Sequence, residues 1–466
     1  MNTRIFLDHE PGPDGRGWIV RALLRLEGEA PESDERAPLN LSIVLDRSGS
    51  MHGAKLAAAR QAAALLARRL APEDVVSVVA YDESVRTVAE PATGAEQTDL
   101  ARRIEAIESG GTTNLSGGWL RGRELVASEL REGGVNRVLL LTDGLANVGI
   151  TDPGRLRDLV ATAATKGVST TTIGFGEGYD EELLRSMADA GGGNTYYIEH
   201  ADQAPAVFES EIEGLLGLAA QNVTVEVRAE ASVRLAAVHH RYPREAVDGG
   251  LRLELGDLYA REPKGVLAEF LVGGAGTEGR PDADADTDAD ADGRGRSGDD
   301  ATDVATVLVT AHVVTADGGV ERREIELPIT LSPEEGGSVE PEVRREMLLL
   351  EAAKAREGAL ERRGRGDFDG AREVLDSTAR TLNDLLVAED GADDELAEEI
   401  DDLRAMAKRF EEQSVTEADA KYLYQRTYAR RTGRVRSADV ISRTKRQGAD
   451  VGKRAERSER DLDDDS

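Results

Sequence analysis

Between Leu39 and about Gly217 the chain alternates apolar, β-branched runs with helical patterns, and this alternation limits the possible folds more than any other feature. The runs at 41–45, 75–81, 137–142, 168–174 and 195–199 are rich in β-branched and apolar residues. Strands that are apolar on both sides belong in a mostly parallel sheet covered by helices above and below. Helical patterns fall near 54–70, 97–108, 117–131, 153–166, 180–190 and 202–217. Asp152-Pro153 starts the fourth with an N-cap and a proline at the first helical position. The expectation for 39–217 is a doubly wound α/β domain.

At 466 residues the chain exceeds what one core holds, roughly 250 residues. From Asn222 to Leu331 the period falls to two, as in Val223-Thr224-Val225-Glu226-Val227 and Leu251-Arg252-Leu253-Glu254-Leu255, which predicts an antiparallel β-sandwich over 218–332. Residues 1–38 carry one convincing strand, 18–27, which cannot fold alone and is expected to join that sandwich. The acid-rich stretch 273–303 lacks the apolar content to order itself and reads as a disordered loop. Its Asp-x-Asp spacing also lacks the central Gly and distal Glu of a calcium loop. Residues 340–430 read as helical, with a break at Gly364 to Gly366 and one long stretch from about 393, in which Tyr422, Tyr424 and Tyr428 read as packed. Residues 431–466 read as a disordered charged tail.

Acids number 90 against 58 Lys plus Arg, so the formal charge of −32 opposes binding to nucleic acid or an anionic membrane. Cysteine is absent, which removes disulfides and thiolate metal sites. The first residues lack a signal-peptide core, and no run approaches the roughly 20 apolar residues of a membrane span. The expectation is a soluble cytoplasmic protein.

The run Leu41-Ser42-Ile43-Val44-Leu45 leads directly into Asp46-Arg47-Ser48-Gly49-Ser50. A carboxylate and two hydroxyls at a strand end suit a hard divalent cation, but they fill only part of an octahedral Mg²⁺ shell. Two further segments offer ligands: Gly110-Gly111-Thr112-Thr113-Asn114-Leu115, a glycine turn opening a helix, and Leu141-Thr142-Asp143-Gly144, a buried strand ending in an acid. Ligand sites in doubly wound sheets lie beyond the carboxyl ends of the strands. Taken singly, each segment is equally well a helix cap or a turn. Their order and placement together make the case. Gly110 to Gly118 lacks the Gly-Lys-Ser/Thr ending of a phosphate loop, and the adjacent His239 and His240 would point to opposite faces of a strand.

Asp46-x-Ser48-x-Ser50, Thr112 after paired glycines and Asp143 before glycine resemble the complete metal-ion-dependent adhesion site of the von Willebrand factor type A family. The stretch Gly256 to Ala260 ahead of the strand at 266–272 more loosely resembles the β-rich region that follows this domain in bacterial and archaeal relatives. The resemblance implies that Ser48, Ser50 and Thr112 coordinate Mg²⁺ through their hydroxyls, directly or through water, with Mn²⁺ or Ca²⁺ as alternatives. Asp46 and Asp143 would stand close by, and a partner's Asp or Glu would complete the shell. The implied function is a non-enzymatic, cation-dependent protein-binding module, with an AAA-type ATPase system as one class of partner. An enzyme that uses the cation on a phosphoryl group and a scaffold with a purely structural cation are the alternatives.

Overall fold

The computed structural model describes residues 1–12, 16–29, 37–93, 99–131, 133–176, 178–260, 262–273, 301–315, 319–332, 337–388 and 393–433. Most of the expected acidic loop and nearly all of the expected tail lie outside the described residues.

Two antiparallel strands, β1 (Asn2–Pro11) and β2 (Trp18–Glu27), open the chain where the sequence reading expected one. β1 is a sheet edge, half-exposed and dotted with charged residues, so it lacks the apolar signal of β2. A six-stranded sheet follows: β3 (Leu39–Asp46), β4 (Val75–Tyr81), β5 (Val85–Thr93), β6 (Val135–Thr142), β7 (Ser169–Phe175) and β8 (Gly192–Ile198). Their order is β5-β4-β3-β6-β7-β8, parallel throughout except for β5. Every residue of β3, β4 and β6 is buried, which explains the unbroken apolar runs.

Six helices cover the sheet: α1 (Ala54–Arg69), α2 (Leu100–Glu105), α3 (Leu115–Ser128), α4 (Pro153–Ala164), α5 (Glu181–Ala190) and α6 (Ala204–Leu216). α1, α2 and α6 share one core with the sheet, and α3, α4 and α5 share the other. α3 lies directly on β3, because a methyl group on Gly122 would come within 2.4 Å of Val44 Cγ2. The fold is the expected doubly wound α/β class, joined to antiparallel sheets and C-terminal helices.

The chain leaves α6 into β9 (Leu218–Ala229), followed by β10 (Val233–Val238), β11 (Arg244–Val247), β12 (Gly250–Tyr259), β13 (Lys264–Val272), β14 (Thr302–Val314) and β15 (Val320–Leu331). These strands and the N-terminal pair make two sheets, β1-β2-β13-β10 and β11-β12-β9-β14-β15, around one core. The helical region comprises α7 (Pro341–Gly364), α8 (Phe368–Ala388), α9 (Asp394–Glu411) and α10 (Glu417–Arg431). The single stretch expected from about 393 is thus two helices. Thr416 begins the second, accepting a bond from Asp419 N while the Asp419 side chain accepts one from Thr416 N, each 3.1 Å. Arg431, read from sequence as the start of the tail, ends α10 and pairs with Glu357.

A buried charge network ties the α/β domain to the sandwich. Arg137 on β6 meets Glu211 of α6 at 3.1 Å, the Tyr259 hydroxyl of β12 at 3.1 Å, and Asp257. Glu211 also accepts from Thr171, Asn194 and Tyr196. Burial alone would raise its carboxyl, but Arg137 and these donors hold it below the ordinary value. α7 is fastened to the sandwich in the same way: Glu346 lies 3.4 Å from Arg25 of β2 and 3.3 Å from His240 Nε2. Burial opposes ionisation of Glu346, and His240, Arg430 and Arg25 outweigh it, bringing its carboxyl down to about 2.

Arg137→Met leaves two buried acids without their cation and is expected to cost about 3–5 kcal/mol in urea unfolding. The folded carboxyl of Glu346 lies below its ordinary value of 4.5, so its stabilisation is complete above about pH 4.5 and is lost as pH falls toward 2. The advantage of the wild type over Glu346→Gln should therefore be of order 3 kcal/mol near neutrality and shrink by about pH 3, as read by denaturant titration at each pH.

Candidate metal centre

β3 has neighbours reached in opposite directions, β4 on one side and β6 on the other, so the chain reverses its winding between β3 and β6. The crevice at the carboxyl ends of such a pair is the natural ligand site of an open α/β sheet. Leu45 pairs with Leu141 across it, which brings Asp46 and Asp143 to the same edge.

Asp46 is fully buried. Its Oδ1 accepts from Ser48 N at 2.8 Å and its Oδ2 from Thr142 Oγ1 at 2.6 Å. Burial pushes its carboxyl above the ordinary range, partly opposed by those two donors and reinforced by the charge of Asp143. The bond to Ser48 N folds the chain into a tight turn that presents Ser48 and Ser50. Backbone bonds Gly49 N to Gly111 O, 2.8 Å, and Gly110 N to Arg47 O, 2.7 Å, join this turn to the glycine loop.

Around the glycine loop, Arg47 turns away from Asp46 to pair with Asp82 at 2.7 Å, and Asp82 accepts from Gly111 N at 3.3 Å. Asn114 caps α3 by accepting from Gly117 N at 3.0 Å. The carbonyl of Thr113 accepts from Asn147 N at 3.0 Å and Val148 N at 3.1 Å, tying in the loop that follows Asp143.

Asp143 is buried, with Oδ1 accepting from Ser50 Oγ at 2.6 Å and Oδ2 from Lys55 Nζ at 2.6 Å. The single Ser50 proton is thereby committed to Asp143, so Ser48 is the donor in the 3.1 Å contact between the two hydroxyls. Four of the five site residues read from sequence, Asp46, Ser48, Ser50 and Asp143, thus belong to one hydrogen-bonded cluster.

Thr112 is placed differently from that reading. It is exposed, and its N–H donates to Glu83 Oε2 at 2.8 Å. Its neighbour Thr113 is buried, and a methyl group added at Gly144 would lie 3.5 Å from Thr113 Oγ1 and 3.7 Å from Ser50 Oγ. Thr113 Oγ1 and Ser50 Oγ thus both line the space over Gly144. The Thr112-Thr113 doublet offers two hydroxyls one residue apart, one exposed and one buried. Thr142 and Lys55 were also missed; Thr142 directly precedes Asp143, whereas Lys55 is distant from it in sequence.

The donors gathered here are all oxygens, carboxylate and hydroxyl, which fits a hard cation such as Mg²⁺ and not a soft one. Among the described residues no three or more His, Cys, Asp and Glu side chains cluster to hold a metal, so a cation here would depend on hydroxyls.

Residues 40–210 match the family model of the von Willebrand factor type A domain. The uncharacterized protein YfbK of Escherichia coli (strain K12) is 30% identical over 211 residues, 44% of this chain and 37% of that protein. The uncharacterized protein sll0103 of Synechocystis sp. is 29% identical over 227 residues, 48% of this chain and 53% of that protein. Human inter-alpha-trypsin inhibitor heavy chain H4 is 32% identical over 228 residues, 47% of this chain and 23% of that protein. The matched segment is thus about half or less of each relative. Among solved structures, a von Willebrand factor type A protein from Catenulispora acidiphila superposes with a TM-score of 0.60 at 18% identity, covering 91% of this chain and 89% of that one. The ArnB paralog VWA2 from Sulfolobus acidocaldarius gives 0.51 at 16% identity, covering 94% and 97%. These two show a shared fold that extends beyond the α/β domain. Residues 40–210 of this chain thus match the von Willebrand factor type A domain in sequence and share its fold.

Proposed function

We propose that the chain is a binding module that uses a divalent cation, Mg²⁺ first, to capture a protein partner through an Asp or Glu. Ser48, Ser50 and Thr113 would hold the cation through hydroxyl oxygens, and Asp46 and Asp143 would orient them and supply negative charge from behind. The observation that carries this reading is that all four oxygens of the two acids already accept bonds from protein donors. The Ser50 proton is directed to Asp143, which leaves that hydroxyl free to act toward a cation as an acceptor. Neutral hydroxyl ligands leave the bound cation most of its charge, which a partner carboxylate is suited to meet. No bond need be made or broken in such a role.

Mn²⁺, followed by its free electron-spin signal, gives a direct test. Asp46→Ala and Thr113→Val are each expected to weaken Mn²⁺ binding about tenfold or more, whereas Thr112→Val should stay within about twofold. A loss confined to Thr112→Val would return the third hydroxyl to Thr112, and wild-type protein that takes up no Mn²⁺ would overturn the reading.

A further inference from the structure

We propose that Lys55 is a built-in counter-ion that makes the centre require three carboxylates, two of its own and one from a partner. This rests on the metal reading above and adds what sets the centre's preference for an anion.

Lys55 stands at the start of α1, and its Nζ lies 2.6 Å from Asp143 Oδ2. The Asp143 side chain is closed to solvent, while that of Lys55 is 36% exposed. Gly176, just past β7, backs the ammonium: a methyl group there would lie 3.3 Å from Nζ and 3.4 Å from Cε. Among the described residues Lys55 is the only basic side chain paired with Asp46 or Asp143, since Arg47 is drawn off by Asp82.

The charges can be counted. Asp46 and Asp143 carry two negative charges, and Lys55 one positive, so the empty arrangement is one unit negative. A divalent cation makes it one unit positive, and a single further carboxylate brings it to neutral. Without Lys55 the two acids neutralise the cation by themselves, and an incoming carboxylate leaves a negative excess. Charges a few ångströms apart in a partly buried site interact strongly enough for one unit to decide the outcome. Lys55 therefore weakens the hold on the cation while strengthening the hold of the loaded centre on an anion. Its role is electrostatic positioning, distinct from ligation.

The test measures Mn²⁺ affinity in sodium acetate and in sodium chloride at equal ionic strength. Binding linkage is reciprocal, so acetate that completes the shell must tighten Mn²⁺ binding. Wild type should gain several-fold from acetate. Lys55→Met should bind Mn²⁺ about tenfold more tightly than wild type in chloride and gain little or nothing from acetate, while Lys55→Arg should behave as wild type. Metal-free Lys55→Met should also melt at a lower temperature than wild type and gain more from Mn²⁺. Weaker Mn²⁺ binding by Lys55→Met, or an undiminished gain from acetate, overturns the proposal and leaves the metal reading intact. Failure of wild type to bind Mn²⁺ overturns both.

Discussion

The register of β3 against β6 is the constraint on which the centre depends. Both strands are buried along their whole length, and a shift by one residue would exchange the side chains facing the two cores. With Leu45 fixed opposite Leu141, the residues that follow emerge at one edge, so that Thr142 reaches Asp46 and Asp143 reaches Ser50. Loop residues then need little freedom. The two backbone bonds between the Ser48 to Ser50 turn and the glycine loop, and the two that tie Thr113 to the loop after Asp143, hold three chain segments around one point.

Under the proposed function, that arrangement gives the carboxylates an indirect role. An ionised Asp placed as an immediate ligand would spend its charge on the cation and leave less for a partner. Here each acid is buried and engaged by donors on both oxygens, so what faces outward is hydroxyl. The raised carboxyl of Asp46 is the electrostatic consequence of its burial, to which the neighbouring charge of Asp143 adds.

What could be read from sequence follows burial closely. The five expected strands of the central sheet were found because both faces or the core face are apolar. β1, β5, β10 and β11 were missed, and each is the edge of its sheet. Edge strands face solvent on one flank, carry charged residues as protection against unwanted pairing, and so lose the periodic signal. The site shows the same division. Acids and serines at fixed spacing were legible, but the choice between Thr112 and Thr113 depends on which hydroxyl the glycine turn directs inward. The link from Lys55 to Asp143 spans 88 positions and has no local pattern at all.

The remaining domains are not loosely appended to this edge. Arg137 lies on β6, the strand that delivers Asp143, and its charge network reaches α6 and β12. On the other flank α10 packs on α5, with Arg185 over the rings of Tyr424 and Tyr428 at 5.2 and 5.8 Å and Lys421 4.1 Å from the ring centre of Tyr179. Tyr179 directly follows Gly178, where a methyl group would come within 3.1 Å of the Asp143 carbonyl. The helical region therefore contacts the very loop that lies against Asp143, and the sandwich grips the strand that leads to it. The helical region and the sandwich are thus both fastened to elements that deliver Asp143, one through the Gly178-Tyr179 loop and the other through the start of β6.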